Sequence, residues 1–525
     1  MSRLLALPIE LLIEILQYLD LKSSFTCRQV CKLLNELIKD SVHVRYKAEL
    51  TLAGMEDGPP SNVLVADRLK MLQAQQAAWR ELKWTSEKIV PMTQGGLWEL
   101  YGGVLAQSNV TRDTLYFTQI PSKIKGIEEK AWEVHLPVQV RDFAMDSSQN
   151  LLFAMARGNA NGVYQAHIFE LSSGQKHPDT TSTGIIEYAA DAADYSFAIQ
   201  IMGPYVGVMF ISPGMGENRL LVWNWKTGST ELSLHSREIN SFGFLTDHHL
   251  LLATVDDPLV DPDEEDDASK PPLMVVDFAA CPKEATGLNG LQYQCAFEFP
   301  PMLPNAGVIA ISVRSDPAPN WTPNPDLKVP FYTARGDRLF VITMWVAEGA
   351  NVTALLLLVP SSTILEKLNS LSSEERGRRF EWEEWGPSGT LLRHAPHEHS
   401  MVWVCFVFGS TFIAPFRPGH PQALLPPFGP KMVQIFDFNQ VAIKRLVKEG
   451  VENESEVSHV ISRPTTLTLS RIFPSPVVTT LPYRWRKTPV PHHQTHTFGS
   501  VMISEDAIVT VTINPAIREY RILSF

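Results

Sequence analysis

Histidines and cysteines are the first places to look for chemistry in this chain. His394, His397 and His399 form an H-x-x-H-x-H cluster beside Glu398, and three imidazoles can hold zinc. The cluster falls in a polar stretch between strand-like runs, with no matching ligand set, so it reads as a loop. His492, His493 and His496 make a weaker case of the same kind. Cys27 and Cys31 stand about one helical turn apart and read as small buried side chains. With Cys281, Cys295 and Cys405 they make five cysteines, sparse and odd in number. That pattern excludes a disulfide framework and suits reducing conditions. No phosphate-binding glycine loop, dinucleotide fingerprint or nucleophile elbow occurs. The sequence thus names no catalytic residue, no metal ligand and no cofactor.

Charge is the next source of chemistry. The net charge is −12, and eight acids lie between Asp256 and Asp267. The rest of the chain is only mildly acidic, without the basic surplus that a nucleic-acid binder shows. Residues 256–270 read as an acidic, solvated, mobile loop. Glu374-Glu375-Arg376-Gly377-Arg378-Arg379 and Arg484-Trp485-Arg486-Lys487 are local charged clusters. The second interleaves an aromatic ring and would suit an acidic or phosphorylated ligand, but both read as solvated loops. Hydrophobic residues at 44% and charged residues at 19% mark a globular chain.

The termini and apolar runs add little. Arg3 followed by Leu4 to Ile9 superficially imitates a signal peptide, but Glu10, Glu14 and Asp20 interrupt the run. Met401 to Phe416 is too short and too β-like for a membrane helix. The expectation is a soluble, intracellular chain in the cytoplasm, the nucleus or both, with neither membrane nor nucleic acid as partner. The sequons at Asn109, Asn320, Asn351 and Asn453 matter only in a secreted chain.

Stepping from side chains to elements, the first forty residues read as helices. Leu7, Leu11, Leu12, Ile15, Leu16 and Leu19 repeat at helical spacing. Pro8 suits a first turn, and Asp20 marks a break. Ser23 or Ser24 would cap a short second helix that buries Phe25. Val30, Leu34, Leu37 and Ile38 form a stripe on a third. Such a unit is too small to bury a full core by itself. Its apolar surface must meet either the rest of the chain or a partner.

The literal residues are more specific. Leu7-Pro8-Ile9-Glu10-Leu11-Leu12, then Ile15-Leu16-Gln17-Tyr18-Leu19-Asp20, then Arg28-Gln29-Val30-Cys31-Lys32-Leu33-Leu34-Asn35-Glu36-Leu37-Ile38 resemble the F-box motif in order. Many members carry tryptophan where Leu33-Leu34 stand here. The resemblance implies docking on a Skp-type adaptor, and through it on a cullin and a ubiquitin-conjugating enzyme. Carried over by position, it implies adaptor contacts from Leu7, Pro8, Ile9, Leu11, Leu12, Ile15, Leu16 and Leu19. From the third segment it implies Val30, Cys31 and Leu34. Some of these must close the internal core instead, and the sequence does not divide the two sets.

Residues 46–90 read as a helical linker after an F-box at 1–45. Val42 to Leu52 is helical and runs into Gly54 and the Asp57-Gly58-Pro59-Pro60 break. Val65, Leu69, Leu72, Gln76 and Trp79 mark one face of a second, bracing helix. The wording from Tyr46 to Trp84 also resembles a segment that follows the F-box in many fungal F-box proteins.

Beyond residue 91 the pattern turns to short β-runs and turns. Corresponding strands centre roughly on 116, 168, 222, 275, 356, 435 and 522, repeated units that must stack to bury themselves. The expected fold is therefore mainly β with an α-helical N-terminus. A three-helix F-box and bracing helices precede a seven-bladed β-propeller over 91–525, with Phe525 ending the strand that closes the ring. Val222-Trp223-Asn224-Trp225-Lys226-Thr227-Gly228 resembles the outer strand and turn of a WD-type blade. A pair of β-sandwiches is the rival fold. The function that follows is a non-catalytic substrate receptor of an SCF-type ubiquitin ligase, with an unknown protein substrate. An adaptor-binding scaffold outside a ligase is one alternative. A propeller enzyme is another, and it needs convergent acids or a metal in the central channel.

Overall fold

Five helices open the chain, each started or stopped by a local backbone device. In the computed structural model the described residues are 3–158, 162–190, 194–214, 216–256, 271–395, 405–416, 432–491, 498–513 and 517–525. Helix α1 (Ile9–Tyr18) follows Pro8, whose φ of −53° is preset for a first turn. Helix α2 (Leu21–Val30) is capped by Asp20, whose carboxylate accepts from Ser23 N at 2.8 Å. This corrects the expected serine cap: the Ser23 hydroxyl donates to Asp20, and a carboxylate suits the positive end of a helix better. The expected burial of Phe25 concerns a side chain outside the described ones. Cys31 is extended and separates α2 from α3 (Lys32–Asp40). Helix α4 (Val42–Ala53) ends on Gly54 at φ +67°, a left-handed position that glycine takes without strain. Helix α5 (Val65–Glu81) follows the Pro59-Pro60 break.

Leu16, Leu34, Ile38 and Val44 form the small core of α1, α3 and α4, and Leu12 of α1 is also buried. Cys27 and Cys31 are half-buried against it as free thiols.

From Ser86 onward the chain builds seven radial sheets, the blades of a propeller, and 43% of residues are in strands. Thr114–Gln119, Val163–Glu170, Asn218–Asn224, Leu273–Asp277, Asn351–Pro360, Met432–Asp437 and Arg518–Ser524 are each the third strand of a blade. The seven centres read from the sequence all fall within them. The last two wide intervals have a structural cause. Blade 5 carries α6 (Ser361–Asn369) and α7 (Trp382–Gly389) between its third and fourth strands. Blade 6 carries α8 (Gln440–Lys448) at the same place.

The ring closes by a different pairing than its last strand alone provides. Ser86–Pro91 runs antiparallel to Arg518–Ser524, from Ser86↔Ser524 to Pro91↔Glu519. Ser86–Pro91 is therefore the outer strand of blade 7, and the strand that ends the chain is paired on both sides. The cores lie between neighbouring blades. Phe153 and Tyr164 of blade 2, for example, pack with Phe210 and Trp223 of blade 3.

The linker is built into the ring. Met55–Asp57 pairs with Phe331–Thr333 in the loop after the first strand of blade 5. Arg68 is 5% exposed. It bridges Asp57 at 2.6 Å and donates to the carbonyls of Gly58, Pro59 and Pro330. Trp79 stacks on Phe525 at 4.0 Å. Gln75, fully buried, donates to Asp506 at 2.8 Å. Asp506 also meets the buried ammonium of Lys125 at 3.0 Å, and Glu505 meets it at 2.9 Å. Glu505 in turn accepts from Thr333 N and Oγ1. Both acids lower the cost of burying the Lys125 charge, and together they hold its pKa above the usual lysine value.

These contacts share one side of the ring. In a four-stranded antiparallel blade, turns after the first and third strands leave one face, and the others leave the opposite face. Lys125, Phe331–Thr333, Glu505-Asp506 and Asn439, which donates to Leu52 O at 2.9 Å, all lie after first or third strands. Of the acidic loop expected at 256–270, residues 257–270 lie outside the described residues.

Lys125→Met leaves two buried carboxylates unmatched. The expected loss is about 3–5 kcal/mol of unfolding free energy, measured by urea denaturation. Adding Glu505→Gln and Asp506→Asn to Lys125→Met should restore much of it. A single variant as stable as wild type would show that this cluster does not hold the joint.

Candidate functional site

The first candidate is the outer surface of the helical unit. Periodicity in α1 divides its apolar residues into two stripes. Leu12 and Leu16 are 2% and 3% exposed and face the internal core, as does Leu34 from α3 at 5%. Pro8, Leu11, Ile15 and Tyr18 follow a three-four-three spacing on the outer side, and all are exposed. Leu7 and Ile9, on either side of Pro8, are also exposed, as is Val30 at the end of α2, at 67%. Leu19 and Cys31 are half-buried. The structure therefore makes the division that the sequence left open. Leu12, Leu16 and Leu34 are used internally, whereas Leu7, Pro8, Ile9, Leu11, Ile15 and Val30 face outward. Sequence reading passed over Tyr18 and Leu33, which are also exposed, at 82% and 37%.

The second candidate lies in the central channel, where the first strands of successive blades stand side by side. Glu99 and Tyr101 of blade 1 face a cavity shared with Ala144 and Met145 of blade 2, Phe244 of blade 4 and Arg314 of blade 5. Asp316 and Arg338 complete it. Burial pushes Glu99 up to about 7, helped by the charge of Asp316 and opposed by the Cys405 thiol that donates to it at 3.4 Å. Burial likewise pushes Asp142 and Asp316 up to about 6, against the pull of Arg314. Arg338 is pushed down to about 10 by burial. It is fixed by the carbonyls of Phe244 and Leu245 at 3.0 and 2.8 Å, by Pro317 O and by Ser315 Oγ.

These convergent acids were missed in the sequence. The signal was present as single carboxylates inside apolar first strands: Glu99 in Leu97-Trp98-Glu99-Leu100, and Asp142 before Phe143. What the sequence lacked was the ring that brings blades 1, 2 and 5 to one axis.

Of two charged clusters read as solvated loops, the second lies wholly in a strand and the first only at Arg378-Arg379. Arg484 and Arg486 project from Tyr483–Pro489, the fourth strand of blade 6. Both are buried against Asp437, at 3.4 and 2.8 Å, and Arg484 also meets Glu454 at 2.7 Å. Alternation along the strand turns both guanidiniums inward, where acids neutralise them. Arg378–Phe380 adds in parallel to the edge of blade 4. Burial of Phe380 holds it there, while Arg378 pairs with Glu384 at 2.6 Å and Arg379 with Glu298 at 2.6 Å. His394 ends the fourth strand of blade 5. His397, Glu398, His399, His492, His493 and His496 lie outside the described residues.

A carboxyl whose folded pKa is raised binds its proton more tightly in the native state. Its stabilising contribution is complete below the unfolded value, near 4.5 for Glu99, and is lost as pH rises to about 7. Glu99→Gln removes that loss. Between pH 5 and 8 the variant should gain roughly 2–3 kcal/mol on wild type, read from urea midpoints. Parallel pH curves for the two proteins would show that Glu99 titrates normally.

Comparisons with known proteins agree with the helical surface. A family model for the F-box domain matches residues 4–45. F-box domains bind Skp-type adaptors in SCF complexes, so the match implies adaptor docking, and the propeller fits protein interaction. No curated protein matches the chain. Among solved structures, extracellular domains 1-2 of Drosophila Semaphorin 1b align at 8% identity and a TM-score of 0.38. That alignment covers 84% of this chain and 87% of the other. Hsv2 from Kluyvelomyces marxianus aligns at 10% identity and a TM-score of 0.22, covering 57% of this chain and 84% of that one. With α1, α2 and α3 folded as a three-helix unit and seven sheets closed behind them, the chain carries an F-box domain at residues 4–45 joined to a seven-bladed β-propeller.

Proposed function

We propose that this protein is the substrate-recognition subunit of an SCF-type cullin-RING ubiquitin ligase. The observation that carries the reading is the outward apolar stripe of Pro8, Leu11, Ile15 and Tyr18 on an F-box unit whose core is closed by other residues. An exposed apolar stripe beside a completed core is what an interface with an adaptor uses. Leu7, Ile9 and Val30 extend it. Leu19 and Cys31 lie at its margin. Leu12, Leu16 and Leu34 support it from inside.

The mechanism is proximity. The adaptor and its cullin hold a charged conjugating enzyme, and the propeller holds a protein substrate. Their effective concentration rises with no chemical step by this chain. The buried joint of Gln75, Lys125, Glu505 and Asp506 supports the reading, because it fixes the span between the two binding surfaces. The face opposite the brace is the free face on which a substrate would sit. The role implies a location in the cytoplasm, the nucleus or both. A propeller enzyme is the second reading, favoured by the channel carboxyls Glu99, Asp142 and Asp316.

Co-purification with a Skp-type adaptor tests the proposal. Leu11→Asp with Ile15→Asp alters only exposed positions, so adaptor affinity should fall by at least about thirtyfold, some 2 kcal/mol, with the fold retained by circular dichroism. Leu16→Asp should instead unfold the helical unit. Wild type that fails to bind the adaptor would overturn the reading. An adaptor complex that binds but recruits no cullin would make the protein a scaffold outside a ligase. Loss of ubiquitin transfer in Glu99→Gln, with adaptor and substrate binding intact, would move the argument to the channel.

A further inference from the structure

The turn after the first strand of blade 4 reads Thr246-Asp247-His248-His249. His249 begins the second strand, His249–Thr254, and Asp277 ends the third, Leu273–Asp277. The two residues are directly opposite in the antiparallel register, and opposed side chains on one face of a sheet stand within contact range. His248 joins them from the turn, its ring centroid 4.1 Å from that of His249. One ligand-capable atom from each of His248, His249 and Asp277 lies within 4.8 Å of the other two; His249 and Asp277 are half-buried and His248 is exposed.

The surroundings orient these groups. His249 Nδ1 lies 2.9 Å from Thr246 Oγ1, and His248 Nδ1 lies 2.6 Å from Asp247 Oδ1. Each ring is thus held through Nδ1, which leaves Nε2 as the nitrogen open to an ion. Histidine ligands of metal sites are commonly fixed through their other ring nitrogen by an oxygen of this kind. Asp277 is fixed through Oδ1, which accepts from the amides of Ala279 and Ala280 at 3.1 and 3.3 Å. Its second oxygen is the one left for a cation.

We propose that His248, His249 and Asp277 form a divalent transition-metal site on the rim of blade 4. Two imidazoles and a carboxylate suit zinc, with water in the fourth position. The bound ion would staple the turn after the first strand to the end of the third strand. Both lie on the ring face that carries the brace.

The test uses the full chain, stripped with a chelator and titrated with Zn²⁺ by calorimetry. Co²⁺ then serves as a spectroscopic probe through its visible d–d bands. The expected result is one Zn²⁺ per chain, with bands typical of a low-coordinate N/O site. His249→Gln and Asp277→Asn should each weaken binding at least about tenfold. The asparagine keeps the acceptor for the Ala279 and Ala280 amides, so the metal-free Tm should stay near that of wild type. Absence of uptake by wild type overturns the proposal. So does uptake undiminished in both variants, because the ion would then sit on other histidines.

Discussion

The ammonium of Lys125, enclosed by Glu505 and Asp506, is the interaction on which the arrangement of this molecule depends. A lysine without solvent contact is unfavourable unless its charge and donors are matched. Here the matching groups come from separate parts of the chain. Lys125 follows the third strand of blade 1 and the two acids follow the first strand of blade 7, while Gln75 reaches Asp506 from α5 and Thr333 reaches Glu505 from the blade 5 loop. Because a half-satisfied cluster is strongly unfavourable, the brace has one position on the ring. The F-box helices inherit that position through α4, whose Tyr46 donates to Asp57 and to Pro330 O.

Closure of the ring follows the same logic with backbone groups. Seven blades stack their cores against each other, and the last needs an outer strand. The chain supplies it from Ser86–Pro91, directly after the brace. The helical linker and the closing strand are therefore one continuous device. Moving the brace would pull on the seam of the propeller, so the helical unit and the ring are mechanically coupled. The same topology separates two faces, one carrying the brace and the other carrying the turns after second and fourth strands.

Much of this was legible in the chain. Third strands are largely buried between blades, so they read as apolar runs such as Leu220-Leu221-Val222-Trp223, and their repetition gave the blade count. The F-box was legible because its residues serve two surfaces and are constrained in type and order. The charged strands were not legible. Arg484-Trp485-Arg486-Lys487 looks solvated when read along the chain, and only Asp437 and Glu454, distant in sequence, explain why its arginines are buried. The helix stripe through Gln76 was one residue from the decisive contact, because helical spacing cannot tell a half-buried glutamine from Gln75, which meets Asp506 across the sequence.

By itself the sequence determined a small helical unit, a bracing segment and seven repeated β-units, because local periodicity records which side of each element is dry, while the order of its literal residues carried the resemblance to the F-box. The tertiary structure decided which F-box leucines face inward, which carboxyls converge on the channel, and that His249 and Asp277 oppose each other. These depend on ring closure, register and buried charge pairing. Each is a relation between residues far apart in the chain, and no local pattern encodes a distance of that kind.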